Sequence, residues 1–327
     1  MGCASEDAMK TITLEEHFVT KDFLKATDAY GSDAGAGMEA MREKLLDLGE
    51  GRVAAMDEGG VSLQVLSLAA IGVDLLAADE QAAVLRGVHD ELAAAVKARP
   101  DRFAGFATPG MKDPAAAVKE LERCVSELGF KGLLLNGTTD GKFMDAPEFF
   151  PVLEAAQALG VPLYLHPAPP PKVVKEAYYS GLPGEAGMLL SIAGWGWHAE
   201  MGLHLLRLIV SGVLDKLPSL QVIVGHMGEG LPYALARSNG VLSLVTKGRR
   251  SVAEVMKDQV WVTTSGYFTR PPFECCREVL GLEKMMYSVD YPFSANTRGR
   301  DFLAGLALSE SEMAALVHGN AERVLGL

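Results

Sequence analysis

Eight times along the chain, a short run of apolar and β-branched residues gives way to a stretch with helical spacing. The runs are Thr11–Val19, Val61–Ala69, Phe103–Pro109, Gly132–Asn136, Val161–His166, Gln221–His226, Gln259–Ser265 and Met285–Asp290. Most lack a clear apolar–polar alternation, as expected of parallel strands covered on both faces. The intervening stretches read as helices. Met38–Glu58 is one, after a Gly/Ala/Asp-rich loop near Tyr30–Gly37. Asp79–Ala98 carries Val84, Val88, Leu92 and Val96 in one stripe. Asp113 and Pro114 form an N-cap and first-turn pair opening the next. Later helices are expected over Pro147–Leu159, Trp197–Ser211, Pro232–Thr246, Pro272–Leu280, Arg300–Leu308 and Glu310–Val324.

Eight βα units in 327 residues predict an α/β chain folded as one closed (β/α)8 TIM barrel, a single domain over 1–327. A doubly wound open sheet competes, but no glycine-rich phosphate loop follows any of the runs. One connection stands out. About thirty residues separate His166 from the helix near Trp197, including Pro167, Pro169, Pro170, Pro171, Tyr178, Tyr179 and Trp195. A connection of that length after strand five reads as a lid.

In such a barrel, chemistry sits at the carboxyl ends of the strands. The first run ends in Glu15, Glu16 and His17, the fourth in Asn136, the fifth in His166. The sixth ends in His226, the seventh in Thr263-Thr264-Ser265-Gly266, the eighth in Asp290. Glu15 and His17 are two apart, so their side chains share a side of the strand. A buried carboxylate at Asp290 is costly unless a cation meets it. Glu15 and Asp290 neutralise a divalent ion, and His17 and His166 supply borderline ligands that suit Zn2+ or Mn2+. His226 is either a further ligand or an acid/base beside the ion, with Glu229 placed to orient it.

Composition narrows the partners. A formal net charge of -12 argues against nucleic acid. No apolar run is long enough to span a membrane, and the N-terminus lacks the basic-then-apolar order of a signal peptide. The four cysteines, Cys3, Cys124, Cys275 and Cys276, show no CxxC spacing, so free thiols and a cytoplasmic location are expected. His89, His198, His204 and His318 fall in helices or their approaches and read as caps or surface residues. Arg52 reads as a solvated helix position, with acid binding as the competing reading.

The motifs Leu-Glu-Glu-His-Phe, Leu-Tyr-Leu-His-Pro, Gly-His-Met-Gly-Glu-Gly-Leu-Pro-Tyr, Thr-Thr-Ser-Gly and Ser-Val-Asp-Tyr-Pro-Phe, in this order, resemble the amidohydrolase superfamily. They are most similar to its non-oxidative decarboxylases of γ-resorcylate, 2,3-dihydroxybenzoate, 5-carboxyvanillate and aminocarboxymuconate semialdehyde. The resemblance implies one divalent metal on Glu15, His17, His166 and Asp290, with His226 beside the substrate and Glu229 its partner. It also implies that Arg237 reaches a neighbouring subunit's site, hence a homo-oligomer, dimer or tetramer. Two departures from the superfamily's hydrolases favour one metal and decarboxylation. The chain has Glu-x-His in place of His-x-His. Strand four ends in Asn136 rather than a bridging lysine, and Lys131 lies at its other end.

The expected reaction is loss of CO2 from a hydroxylated aromatic carboxylate, with Asp290 or His226 protonating the ring carbon. Phe18, Asn136, Trp195, Arg237 and Phe293 are the candidate substrate contacts, and Trp197 and Tyr267 are further aromatics flanking the ring. The alternative activity is a metal-dependent hydrolase or lactonase, or a hydratase of a ring-cleavage acid.

Overall fold

The computed structural model describes residues 9–29 and 36–327. Most of the loop expected near Tyr30–Gly37, and Cys3, lie outside them. Eight parallel strands run in chain order around a barrel: β1 Ile12–Phe18, β2 Leu63–Leu68, β3 Phe103–Gly105, β4 Leu133–Asn136, β5 Leu163–His166, β6 Val222–Val224, β7 Val260–Thr263 and β8 Met285–Met286. Backbone ladders join β1 to β3 and β4 to β8, and a parallel bridge between Ala107 and Leu133 connects the two groups.

Side chains alternate across the strands, and this sets the two cores. Leu134, Tyr164, Ile223, Trp261 and Met286 point into the barrel with Ile12, Leu14, Leu63 and Val65. Their neighbours, such as Leu133, Leu135, Leu163, Leu165, Val222 and Val262, pack outward in the larger core. Stepping by two from the inward residues gives the mouth: Ser67, Thr108, Asn136, His166, Gly225, Thr263, Ser265, Ser288 and Asp290. On β1 the register shifts between Thr13 and Glu16. Leu14 and Glu15 therefore share one position opposite β2, so Glu15 and His17 continue the inward row above Leu14.

The last seam is sealed differently. β8 has two residues, not the six expected, and β1 meets the segment after it mostly through side chains. Leu14 N–H and Glu15 N–H donate to Ser288 Oγ (2.9 and 2.6 Å). Val289 N–H and Tyr291 N–H donate to the Glu16 carboxylate (2.9 and 3.0 Å). His17 N–H donates to the Tyr291 carbonyl (2.7 Å). Glu16 therefore replaces a stretch of ladder, and burial pushes its carboxyl up to about 8.

The helix expected over Met38–Glu58 is two, Ala36–Leu46 and Glu50–Gly59. The Asp47 carboxylate accepts from Gly49 N–H (2.7 Å), a local bond that competes with helix continuation. Arg52 is fully buried rather than solvated. Its guanidinium donates to the carbonyls of His17 and Asp47 (both 2.7 Å) and to Gln64 Oε1 (3.3 Å), and no carboxylate among the described residues bonds it. Burial lowers its pKa to about 10. The long connection after β5 holds two short helices, Lys172–Tyr179 and Ala186–Ser191, before the helix Gly196–Val210.

Candidate active site

Four side chains meet at the barrel mouth. One ligand atom each from Glu15, His17, His166 and Asp290 lies within 4.8 Å of the others. His17 Nε2 is 3.3 Å from Asp290 Oδ1, and His166 Nε2 is 3.2 Å from Glu15 Oε1. The two oxygens of Glu15 differ. Oε2 accepts from Tyr164 OH, Ser265 Oγ and, at 3.3 Å, Thr263 Oγ1. Oε1 is buried and has no hydrogen-bond partner among the described residues, and neither has His17 Nε2. Two buried acceptors left open toward one point, among two imidazoles and two carboxylates, fit a divalent cation. His17 Nδ1 lies 3.2 Å from Ser67 Oγ, which fixes the ring with Nε2 toward the cluster.

The electrostatics follow from burial and pairing. Burial raises the pKa of Glu15, but His226, His166 and His17 outweigh it and hold the carboxyl well below its usual range. Asp290 is likewise held low, burial being outweighed by the His17 and His226 imidazoles beside it. For His17 burial dominates and the pKa falls.

His226 opens a turn rather than ending a strand. Its φ is 50°, that of Met227 55° and that of Glu229 57°, left-handed values costly for residues other than glycine. This turn brings His226 Nε2 to 3.7 Å from Glu15 and 3.9 Å from Asp290. Gly225 beneath it has no room for a side chain: a β-carbon would overlap the Glu15 carboxylate. His226 Nδ1 donates to Glu229 Oε1 (2.8 Å), and His198 Nδ1 donates to Glu229 Oε2 (2.5 Å). His198 is therefore a buried partner of the site, not a cap or surface residue. His89 and His204 are also buried, accepting from the N–H groups of Thr108 (2.9 Å) and Met144 (3.0 Å).

The candidate substrate contacts divide. The Phe293 ring lies 5.7 Å from that of His17 and is 43% exposed, so it stands at the mouth. Asn136 is the Cα partner of His166 across β4 and β5. Its amide oxygen and nitrogen are buried without hydrogen-bond partners among the described residues. Trp195 is 60% exposed at the start of the Gly196–Val210 helix. Arg237 is exposed on the helix Leu231–Leu242 and has no ion pair among the described residues. Phe18 does not face the site. It follows His17, so it points outward and is fully buried in the outer core. Tyr267 packs edge-on to His198 and His226, 5.4 and 5.8 Å between centroids. Sequence reasoning missed His198, which no spacing ties to Glu229.

A closed (β/α)8 barrel with an imidazole–carboxylate cage at its strand ends is the class that fold and site define. Within it, the chain belongs to the amidohydrolase family, whose pattern matches residues 33–327. The decarboxylase orsB of Emericella nidulans is 37% identical, the alignment covering 96% of each chain. A γ-resorcylate decarboxylase of Polaromonas sp. is 36% identical over 97% of this chain and 98% of its own. Among solved structures, the 5-carboxyvanillate decarboxylase of Novosphingobium aromaticivorans superposes with a TM-score of 0.91 at 32% identity, covering 99% of this chain and 98% of that one. That protein was crystallised with manganese and 4-hydroxy-3-methoxy-5-nitrobenzoic acid.

Proposed function

We propose that this chain is a metal-dependent, non-oxidative decarboxylase of a hydroxylated aromatic carboxylic acid of the resorcylate, dihydroxybenzoate or salicylate type. The observation that carries the reading is the cage itself, with Glu15 Oε1 and His17 Nε2 buried and unpartnered among four donors within 4.8 Å. Glu15, His17, His166 and Asp290 would hold one divalent ion, manganese or zinc. When bound, it supplies the positive charge that orients the carboxylate with its ortho hydroxyl and offsets negative charge on the phenolic oxygen.

The chain's own residues supply the rest. His226 Nε2 and Asp290 Oδ2 face each other at 3.9 Å and carry the proton-delivery step between them. The proton adds to the ring carbon bearing the carboxylate, using a ring electron pair. The carbon–carbon bond then breaks, its pair returns to the ring, and CO2 leaves as aromaticity is restored. Glu229, bonded to His226 and His198, holds the His226 ring with Nε2 toward the substrate. Phe293 and Tyr267 flank the ring, and the connection between His166 and Gly196 serves as the lid. We read residues 1–327 as one domain. The unpaired thiols of Cys124, Cys275 and Cys276 support a reducing, cytoplasmic setting.

The test is direct. Purified protein mixed with 2,6-dihydroxybenzoate, 2,3-dihydroxybenzoate or salicylate should release CO2 from at least one. A chelator should stop the release and Mn2+ or Zn2+ restore it. Asp290→Asn should lower the rate at least about 100-fold, the lower range for a lost acid–base group, while the fold persists. Ring opening of a lactone without CO2 release would replace this reading with a hydrolase.

A further inference from the structure

The turn that carries His226 is gripped from the helix Gly196–Val210 as well as from the barrel. Glu229 is buried, and its two oxygens serve two rings: Oε1 accepts from His226 Nδ1 (2.8 Å) and Oε2 from His198 Nδ1 (2.5 Å). Burial raises the Glu229 pKa, but His226 and His198 outweigh it and hold the carboxyl below its usual range. The second nitrogen of His198 is engaged too. Its Nε2 lies 3.2 Å from the carbonyl of Ala193, in the loop that ends the long connection after β5. The His198 and His226 rings meet edge-on, 5.0 Å between centroids, and Tyr267 packs edge-on to both.

His198, His226 and Glu229 bring one ligand atom each to within 4.8 Å of the others, as a metal site would. Yet separations of 2.5 and 2.8 Å are those of direct hydrogen bonds, whereas an ion between these atoms would need about 2 Å to each. Each of them already has its partner, unlike Glu15 Oε1 and His17 Nε2 among the described residues. The arrangement acts on orientation instead. The last torsion of a glutamate is soft, so a carboxylate held at one oxygen can turn. Held at both, it keeps one plane, and His226 keeps one ring orientation. Without His198, Oε2 would be a buried acceptor with nothing to accept, and the carboxylate would turn to satisfy it. The backbone does not prevent this, since His226, Met227 and Glu229 sit at left-handed φ values that persist only where the surroundings hold them.

We propose that His198 is a positioning residue of the reaction: from its hold on the Ala193 carbonyl it fixes the plane of Glu229, and through Glu229 the aim of His226 Nε2. The ring belongs to no cage position, and its hydrogen bonds among the described residues run to Glu229 and Ala193. The proposal rests on the decarboxylase reading, which gives His226 a proton to deliver.

Three variants separate the two bonds. His198→Asn keeps a donor where Nδ1 stands, His198→Gln keeps one nearer Nε2, and His198→Phe keeps a ring with neither. The substrate is whichever of 2,6-dihydroxybenzoate, 2,3-dihydroxybenzoate or salicylate the wild type turns over. For His198→Gln and His198→Phe kcat should fall about 10–100-fold, the scale for a lost outer partner of a site histidine, and His198→Asn should stay within about threefold of wild type. KM should hold within about twofold throughout, since an interaction that acts on the transition state alone moves kcat. Equal losses in His198→Asn and His198→Gln would overturn the proposal, and this comparison decides even where His198→Phe does not fold. Metal content should match wild type in every variant; an ion lost with His198 would make the residue a ligand and overturn the proposal too. A second readout needs no turnover. In the Zn2+-loaded protein the two ring N–H protons bonded to Glu229 should give two downfield proton resonances. His198→Asn should leave the His226 resonance in place, and His198→Gln and His198→Phe should shift or remove it. A His226 resonance unmoved in every variant would sink the positioning role alone. The expected shifts without CO2 release from any acid would sink the reaction and keep the tie between the residues.

Discussion

At the scale of single residues, the site depends as much on what is missing as on what is present. The Glu15 carboxylate fits because position 225 carries no side chain. Tyr164, Thr263 and Ser265 then fix one of its oxygens and leave the other open. Gly225→Ala should push that carboxylate out of place. Overpacking of a tight site costs roughly 1–3 kcal/mol. We expect a lower unfolding temperature together with at least a tenfold loss of bound Mn2+, read by metal analysis after dialysis. Full metal content in the variant would show that Glu15 has slack. The surprises at this scale concern histidines and one arginine. His198 and Arg52 look like surface residues in the sequence because each is a polar side chain on a helix with no partner nearby in the chain. Their partners, Glu229 and the His17 carbonyl, are 31 and 35 positions away and come close only in the folded barrel.

At the scale of elements, the helix Gly196–Val210 is tied to the barrel through His204, whose Nε2 accepts from Met144 N–H (3.0 Å). Burial pushes its pKa down from 6.5 to about 4. A histidine depressed on folding binds its proton more readily in the unfolded chain. Its stabilising effect is therefore complete above pH 6.5 and is lost as pH falls toward 4. Between pH 7 and pH 5 the loss is about 2 kcal/mol. Urea unfolding at both values should show this drop, and His204→Gln, which keeps an acceptor for Met144, should reduce it. An unchanged drop would assign it to other groups. The strand ends that carry the site were legible in the sequence because a strand's two-residue repeat is local. So were most helices, from their stripes and caps. The short β8 was not, because a side-chain seam leaves no periodic trace and Glu16 reads like any strand-end acid. The break at Asp47–Gly49 was hidden by a side-chain bond that outcompetes continued helix.

At the scale of the whole molecule, the surface is unevenly finished. Tyr178, Leu189, Trp195, Leu203 and Tyr233 are exposed on the insertion and on the helices after β5 and β6. Arg237 stands on the same helix as Tyr233. We propose an oligomer that covers these groups and lends Arg237 to a neighbouring site. Light scattering should give a mass above the 34.8 kDa of one chain. Arg237→Ala and Asp290→Asn, each inactive alone, should regain activity when unfolded and refolded together, because some mixed sites then hold both intact residues. No recovery would confine Arg237 to its own chain.

The cage draws Glu15 and His17 from the first strand and Asp290 from just beyond the last, and the seam between them is sealed by contacts such as Glu15 N–H to Ser288 Oγ across 273 positions. During synthesis, then, the proposed ligand set stays incomplete until Asp290 has left the ribosome. A product cut short before Asp290 would hold Glu15, His17 and His166 without their closing carboxylate, so metal uptake would report that the end of the eighth strand is in place.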